Sequence, residues 1–110
     1  MKFNVNQKDL QRSLNYCQGI IERRSTLPIL SNIMINAANS KLTLTATDLD
    51  IIFINQIENI EILEEGKTTT SSSIINDIVK KLSSGKKVNF SLNTENKLQL
   101  DSDNTKFNLN

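Results

Sequence analysis

Apolar and polar residues alternate over the first six positions. Met1, Phe3 and Val5 are apolar and Lys2, Asn4 and Asn6 are polar, the signature of a strand with one buried face. The period then changes. Leu10, Leu14, Cys17 and Ile21 recur at i, i+4, i+7 and i+11, which puts them on one face of a helix predicted over residues 7–21. Asn6 suits the N-cap, and Asp9 suits the positive end of the helix dipole. The opposite face then shows Lys8, Gln11, Arg12, Asn15 and Gln18, and Gly19 is expected to begin the unwinding into a loop that holds Arg23 and Arg24. The only proline, Pro28, holds Leu27 extended and directs the chain into the next strand.

Strand patterns follow at residues 32–38, at 41–47 across a tight Asn39-Ser40 turn, and at 51–62. The run Ile51-Ile52-Phe53-Ile54 breaks the alternation, which fits either burial on both faces or a bulge beside Asp48 and Asp50. Glu64-Glu65-Gly66 predicts a turn, residues 67–71 a short strand, and Ser72 or Ser73 the cap of a second helix over residues 73–82. Its apolar face would be Ile74, Ile75, Ile78, Val79 and Leu82, with Asn76, Asp77 and Lys80 facing away and Lys81 on the border. Three more strand patterns cover residues 87–93, 97–102 and 105–109, the last with Phe107 and Leu109 alternating. The two halves therefore share one order of elements, strand, helix, three strands, with a period of about 60 residues. An α+β domain with two helices on one face of largely antiparallel sheets is expected.

A length of 110 residues bounds a single domain with one modest core. The absence of histidine and the single cysteine, Cys17, exclude Ser-His and Cys-His nucleophile pairs, histidine-ligated metals and an intrachain disulfide. Gly19, Gly66 and Gly85 stand apart, so no glycine-rich phosphate loop can form. The N-terminus lacks the apolar run of a signal peptide and no stretch is long enough to span a membrane, so a cytoplasmic protein is expected. The chain stops at Asn110 directly after a strand pattern, which suggests a piece of a larger protein.

Net charge is only +1, yet it is segregated: residues 1–47 carry six cations and two anions, residues 48–65 six anions and no cation, and residues 66–87 five cations and one anion. Asp48 and Asp50, with Glu58, Glu61, Glu64 and Glu65, are the candidates for acid–base or metal chemistry, but they lack a histidine and a third ligand at diagnostic spacing. Lys8 and Arg12 on the first helix, Arg23 and Arg24 after it, and Lys80 and Lys81 on the second form a basic set. Three readings remain open for it, a solvated face, contact with duplex phosphates, and contact with protein. Outward-facing cations without interleaved aromatics neutralise phosphates rather than read or stack bases.

Four segments carry a family pattern: Met1-Lys2-Phe3, Arg24-x-Thr26-Leu27-Pro28-Ile29-Leu30-x-Asn32, Leu42-x-Leu44-Thr45-x-Thr47-Asp48-Leu49 and Gly66-x-Thr68-Thr69. In these segments and their spacing the whole chain resembles the first of the three domains of the bacterial sliding clamps, the beta subunits of DNA polymerase III. The resemblance implies a DNA-clamp fold built from a duplicated β-α-β-β-β unit, in which two subunits close into a ring whose helices surround duplex DNA. It implies a processivity factor that works with the polymerase and the clamp loader, and has no catalytic residue, metal or cofactor of its own, although its holoenzyme is a nucleotidyltransferase. Arg24 matches a family arginine that contacts DNA. A second family DNA-contact arginine falls on Ser73, so that contact is lost or passed to Lys80 or Lys81. Phe107 and Leu109 match the strand that meets the neighbouring subunit. The alternative is a stand-alone adaptor domain that binds protein through its acidic segment and open edge.

Overall fold

The computed structural model describes residues 1–24, 32–47, 52–58, 60–95, 97–103 and 105–109, and not the side chains of residues 20–24. The elements run β1 (Lys2–Asn6), α1 (Gln7–Arg24), β2 (Asn32–Ala38), β3 (Lys41–Thr47), β4 (Ile52–Ile57), β5 (Ile60–Glu64), β6 (Gly66–Ser71), α2 (Ser72–Lys81), β7 (Lys87–Leu92), β8 (Leu98–Ser102) and β9 (Thr105–Leu109). They form two antiparallel sheets, ordered β5-β1-β7-β8-β9 and β4-β3-β2-β6.

The predicted duplication is visible as an exchange. β1 joins β7 and β8 of the second half, with Phe3 opposite Phe90, while β6 joins β2 and β3 of the first half, with Ile35 opposite Thr68. The Phe3 and Phe90 rings stack at 4.8 Å and 11°. Alternation along the strands turns Phe3 and Val5, Ile33 and Ile35, Leu42 and Leu44, and Val88 and Phe90 inward. One buried cluster includes these residues together with Leu10, Leu14 and Cys17 of α1 and Ile75 and Val79 of α2.

Local chemistry explains the ends of the elements. Asn6 Oδ1 accepts the Lys8 N–H at 2.9 Å and caps α1 as expected. The β2–β3 hairpin turns through Asn39 and Ser40 with φ of 54° and 63°, the pair of positive angles that matches the strand twist. At α2, Ser71 is the cap in place of Ser72 or Ser73, its hydroxyl accepting the Ile74 N–H at 3.4 Å.

Several expectations are corrected. α1 continues through Gly19 to Arg24, so Arg23 and Arg24 belong to the helix backbone rather than to a loop. The strand expected over residues 51–62 is two strands, β4 at the edge of one sheet and β5 at the edge of the other. On β4, Ile52 and Ile54 are 69% and 59% exposed, so burial on both faces does not hold, and the bulge expected beside Asp48 and Asp50 falls outside the described residues. Only Glu65 separates β5 from β6. Ile74 is 50% exposed whereas Asn76 is buried, because the side of α2 that carries Asn76 meets α1. The 25–31 segment with Pro28, and Asp48, Asp50 and Ile51, lie outside the described residues.

Gly66 starts β6 where the chain passes from one sheet to the other, and a Cβ there would lie 2.7 Å from Met1 Cβ. Gly66→Ala is therefore expected to cost about 1–3 kcal/mol through overpacking. A Cβ on Gly19 meets nothing within 4 Å, so Gly19→Ala should stabilise the exposed helix by about 0.5–1 kcal/mol. Urea unfolding of both variants checks the opposite signs. Burial raises the Cys17 thiol from 9.0 to about 11. The folded state thus holds the neutral thiol more firmly than the unfolded state does. Its contribution is complete below pH 9 and is lost between pH 9 and about 11. Thiol labelling of the native protein at neutral pH should be slow and should accelerate on unfolding.

Candidate nucleic-acid interface

Side-chain amides join the two helices. Gln7 Nε2 donates to the Val79 carbonyl at 2.8 Å, and Gln11 Nε2 donates to Asn76 Oδ1 at 2.8 Å. Farther along, the Ser72 hydroxyl donates to Gln18 Oε1 at 2.7 Å and Gln18 Nε2 donates to the Ser73 hydroxyl at 3.4 Å. Rising positions on α1 meet falling positions on α2, so the helices are antiparallel. Gln7, Gln11 and Gln18 recur at the spacing of one helical stripe. Each hydrogen bond contributes on the order of 1 kcal/mol net, but a partner lost from the buried seam leaves a polar group unsatisfied. Gln11 Oε1 is already buried without a donor among the described residues.

This seam fixes which faces remain outside. Lys8, Arg12, Asn15 and Tyr16 of α1 are exposed, as are Ser73, Asp77, Lys80 and Lys81 of α2. Among the described residues the ion pairs join Lys41 to Glu58, Lys97 to Glu95 and the Met1 amino group to Glu64. None of them uses Lys8, Arg12, Lys80 or Lys81, so these four charges face water. Two basic residues, Lys80 and Lys81, close the last turn of α2, where they also complement the helix dipole.

Two recesses flank the outer face of α1. One, of about 520 Å³, lies between the helices and is lined by Asn15, Gln18, Gly19, Ser73, Asn76, Asp77 and Lys80. The other, of about 380 Å³, lies between α1 and β4 and includes Asp9, Arg12, Tyr16 and Glu58. Arg12 thus shares its recess with two carboxylates, whereas Lys80 shares its own with one. Tyr16, 53% exposed, sets its ring edge-on to Phe53 at 6.4 Å, and the Ser13 hydroxyl bonds Asn55 Oδ1. These contacts pin α1 to β4.

Of the residues singled out from sequence, the structure places Lys8, Arg12, Ser73, Lys80 and Lys81 on exposed positions of two adjacent helices. Arg24 ends α1 and its side chain lies outside the described set. Phe107 and Leu109 sit apart from this face on β9, opposite Leu100 and Leu98 of β8, half-buried against the core at the edge of the five-stranded sheet. Three of the acidic residues have local partners: Glu65 accepts the Asn39 N–H at 2.9 Å, Glu64 meets the Met1 amino group and Glu58 meets Lys41. Gln11 and Gln18, expected on the solvent face, belong to the seam. Tyr16 was not singled out from sequence, although its position four residues after Arg12 puts the two on adjoining parts of one helix surface.

No helix among the described residues is long and apolar enough to cross a membrane. The family model described as DNA polymerase III beta subunit, N-terminal domain, matches residues 1–110. The chain is 33% identical over 111 residues to a beta sliding clamp of Caulobacter vibrioides, covering 99% of this chain and 29% of that protein. It is 32% identical over 109 residues to a beta sliding clamp of Rickettsia felis, covering 99% of this chain and 28% of that protein. A crystal structure of the C. crescentus beta sliding clamp superposes with a TM-score of 0.89 and 34% identity, covering all of this chain and 29% of that one. The chain therefore spans less than a third of the length of these relatives. With its whole length matched by the family model, and its two helices and paired antiparallel sheets superposing on solved clamps, the chain belongs to the DNA polymerase III beta subunit family, in the N-terminal domain of the beta sliding clamp.

Proposed function

We propose that this chain is the first of three domains in a DNA-encircling sliding clamp, which tethers the replicative polymerase to duplex DNA in the cytoplasm and so confers processivity. The observation that carries this reading is the pair of adjacent antiparallel helices with Lys8, Arg12, Lys80 and Lys81 exposed and outside every described ion pair. Such a face attracts phosphates without reading bases, and a ring that is linked to DNA topologically needs contacts weak enough to slide. The clamp performs no chemistry and takes no cofactor. Its partners are duplex DNA, a second clamp subunit, DNA polymerase III and the clamp loader.

The edge strand β9 is the proposed meeting point with the second subunit, through Phe107 and Leu109. An open edge with half-buried apolar residues is a template for pairing with another strand, and the sheet runs out there. The adaptor reading draws on the same edge and has no separate observation in its favour.

In the full-length protein, Arg24→Ala is expected to reduce loading onto primed circular DNA several-fold at low salt while leaving the unfolding midpoint unchanged. Unaltered loading would remove Arg24 from the mechanism. The 110-residue chain by itself should scatter light as a monomer or as a dimer that Phe107→Lys disperses. A concentration-independent closed ring formed by this chain alone would contradict the domain assignment.

A further inference from the structure

The recess between the helices has a donor arrangement that the general basic face does not explain. Gln11 Nε2 donates both to Asn15 Oδ1 at 3.0 Å and to Asn76 Oδ1 at 2.8 Å. An asparagine whose oxygen is occupied in this way keeps its NH2 group for another acceptor, and both asparagines line the recess. Ser73 adds a hydroxyl and Lys80 an ammonium group. Gly19 leaves the α1 wall open, since even a Cβ there would meet nothing within 4 Å. Lys81, one residue on, does not line this space, and Arg12 lines the other recess beside Asp9 and Glu58.

We propose that the recess between α1 and α2 seats one backbone phosphate of duplex DNA, with Lys80 supplying the charge and the amides of Asn15 and Asn76, oriented by Gln11, supplying neutral donors. The proposal rests on the clamp reading and deepens it by separating Lys80 from the other exposed cations. Asp77, on the same wall, opposes the anion and keeps the seat weak. One charge with neutral donors and a nearby carboxylate is a suitable composition for a contact that must release at every step of sliding.

The test measures binding of the 110-residue chain to a short fluorescent duplex of mixed sequence across a salt series, with backbone amide NMR shifts to locate the contact. Lys80→Gln should make the dependence of log K on log salt shallower by about 0.9, the value for one phosphate, while Lys81→Gln, on the same basic face but outside the recess, should change it by clearly less. Asn15→Ala should weaken binding a few-fold without altering the slope, because it removes a neutral donor. Asp77→Asn should tighten binding. Shifts should concentrate on Asn15, Gly19, Ser73 and Asn76, and inorganic phosphate at matched phosphate concentration should not reproduce them.

Equal effects of Lys80→Gln and Lys81→Gln, with shifts spread along both helices, would overturn the seat and leave the clamp reading standing. Equivalent shifts with inorganic phosphate would make this a free-anion site and overturn its assignment to the duplex. Shifts on neither helix, with salt-insensitive binding, would overturn the seat and the clamp reading together.

Discussion

Everything else in this domain depends on the exchange of first strands between its two halves. β1 is bound on one side by β5 and on the other by β7, and β6 closes the sheet whose remaining strands are β2, β3 and β4. Neither half retains a complete sheet when separated from the other. The Phe3–Phe90 stack spans this exchange, and the cluster beneath it draws on both helices and both sheets. The interactions that join the halves are therefore long in sequence, which implies cooperative unfolding and slower folding than a helical protein of this length would show.

The exchange also fixes the helices. α1 begins after β1 in the five-stranded sheet and ends ahead of β2 in the four-stranded one, while α2 begins after β6 in the four-stranded sheet and ends ahead of β7 in the five-stranded one. Both helices cross between the same two sheets in opposite directions, so they lie antiparallel. The side of each that faces the other cannot be apolar core alone, because it emerges at the surface. Glutamine, asparagine and serine fill that border with paired amides and hydroxyls. What remains outside is the strip that carries the cations, and its separation from β9 puts the proposed DNA-facing and edge-pairing roles on different parts of one small domain.

Much of this was legible in the residues. Period-two alternation gave β1 and β3, the Asn39-Ser40 pair gave a turn whose two φ angles are both positive, and the repeated order of elements anticipated the duplication. The division at Glu58 was not legible, because a chain leaving one sheet for another keeps its apolar residues, here Ile57, Ile60 and Ile62, with no glycine or proline to mark the change. Periodicity separated polar from apolar positions on the helices. It could not separate a polar residue facing water from one facing a second helix, which is why Gln11, Gln18 and Asn76 changed sides. Gly19 misled for a related reason: its low helix propensity was outweighed by the residues before and after it, and α1 ran on to Arg24. Exposure of Lys8, Arg12 and Lys80 followed directly from the apolar stripes, whereas Lys81 fell on the border of its stripe, and the distinction between Lys80 in the recess and Lys81 outside it required the helix pair.

The central claim is that the basic helix face guides a duplex held by topology rather than by affinity. The most direct measurement compares retention of the full-length protein, once loaded, on closed circular DNA and on the same DNA after linearisation, in salt high enough to abolish phosphate contacts. The account predicts that the protein stays on the circle and runs off the linear molecule. Equal loss from both forms would mean that the cations grip the duplex and that no ring encloses it.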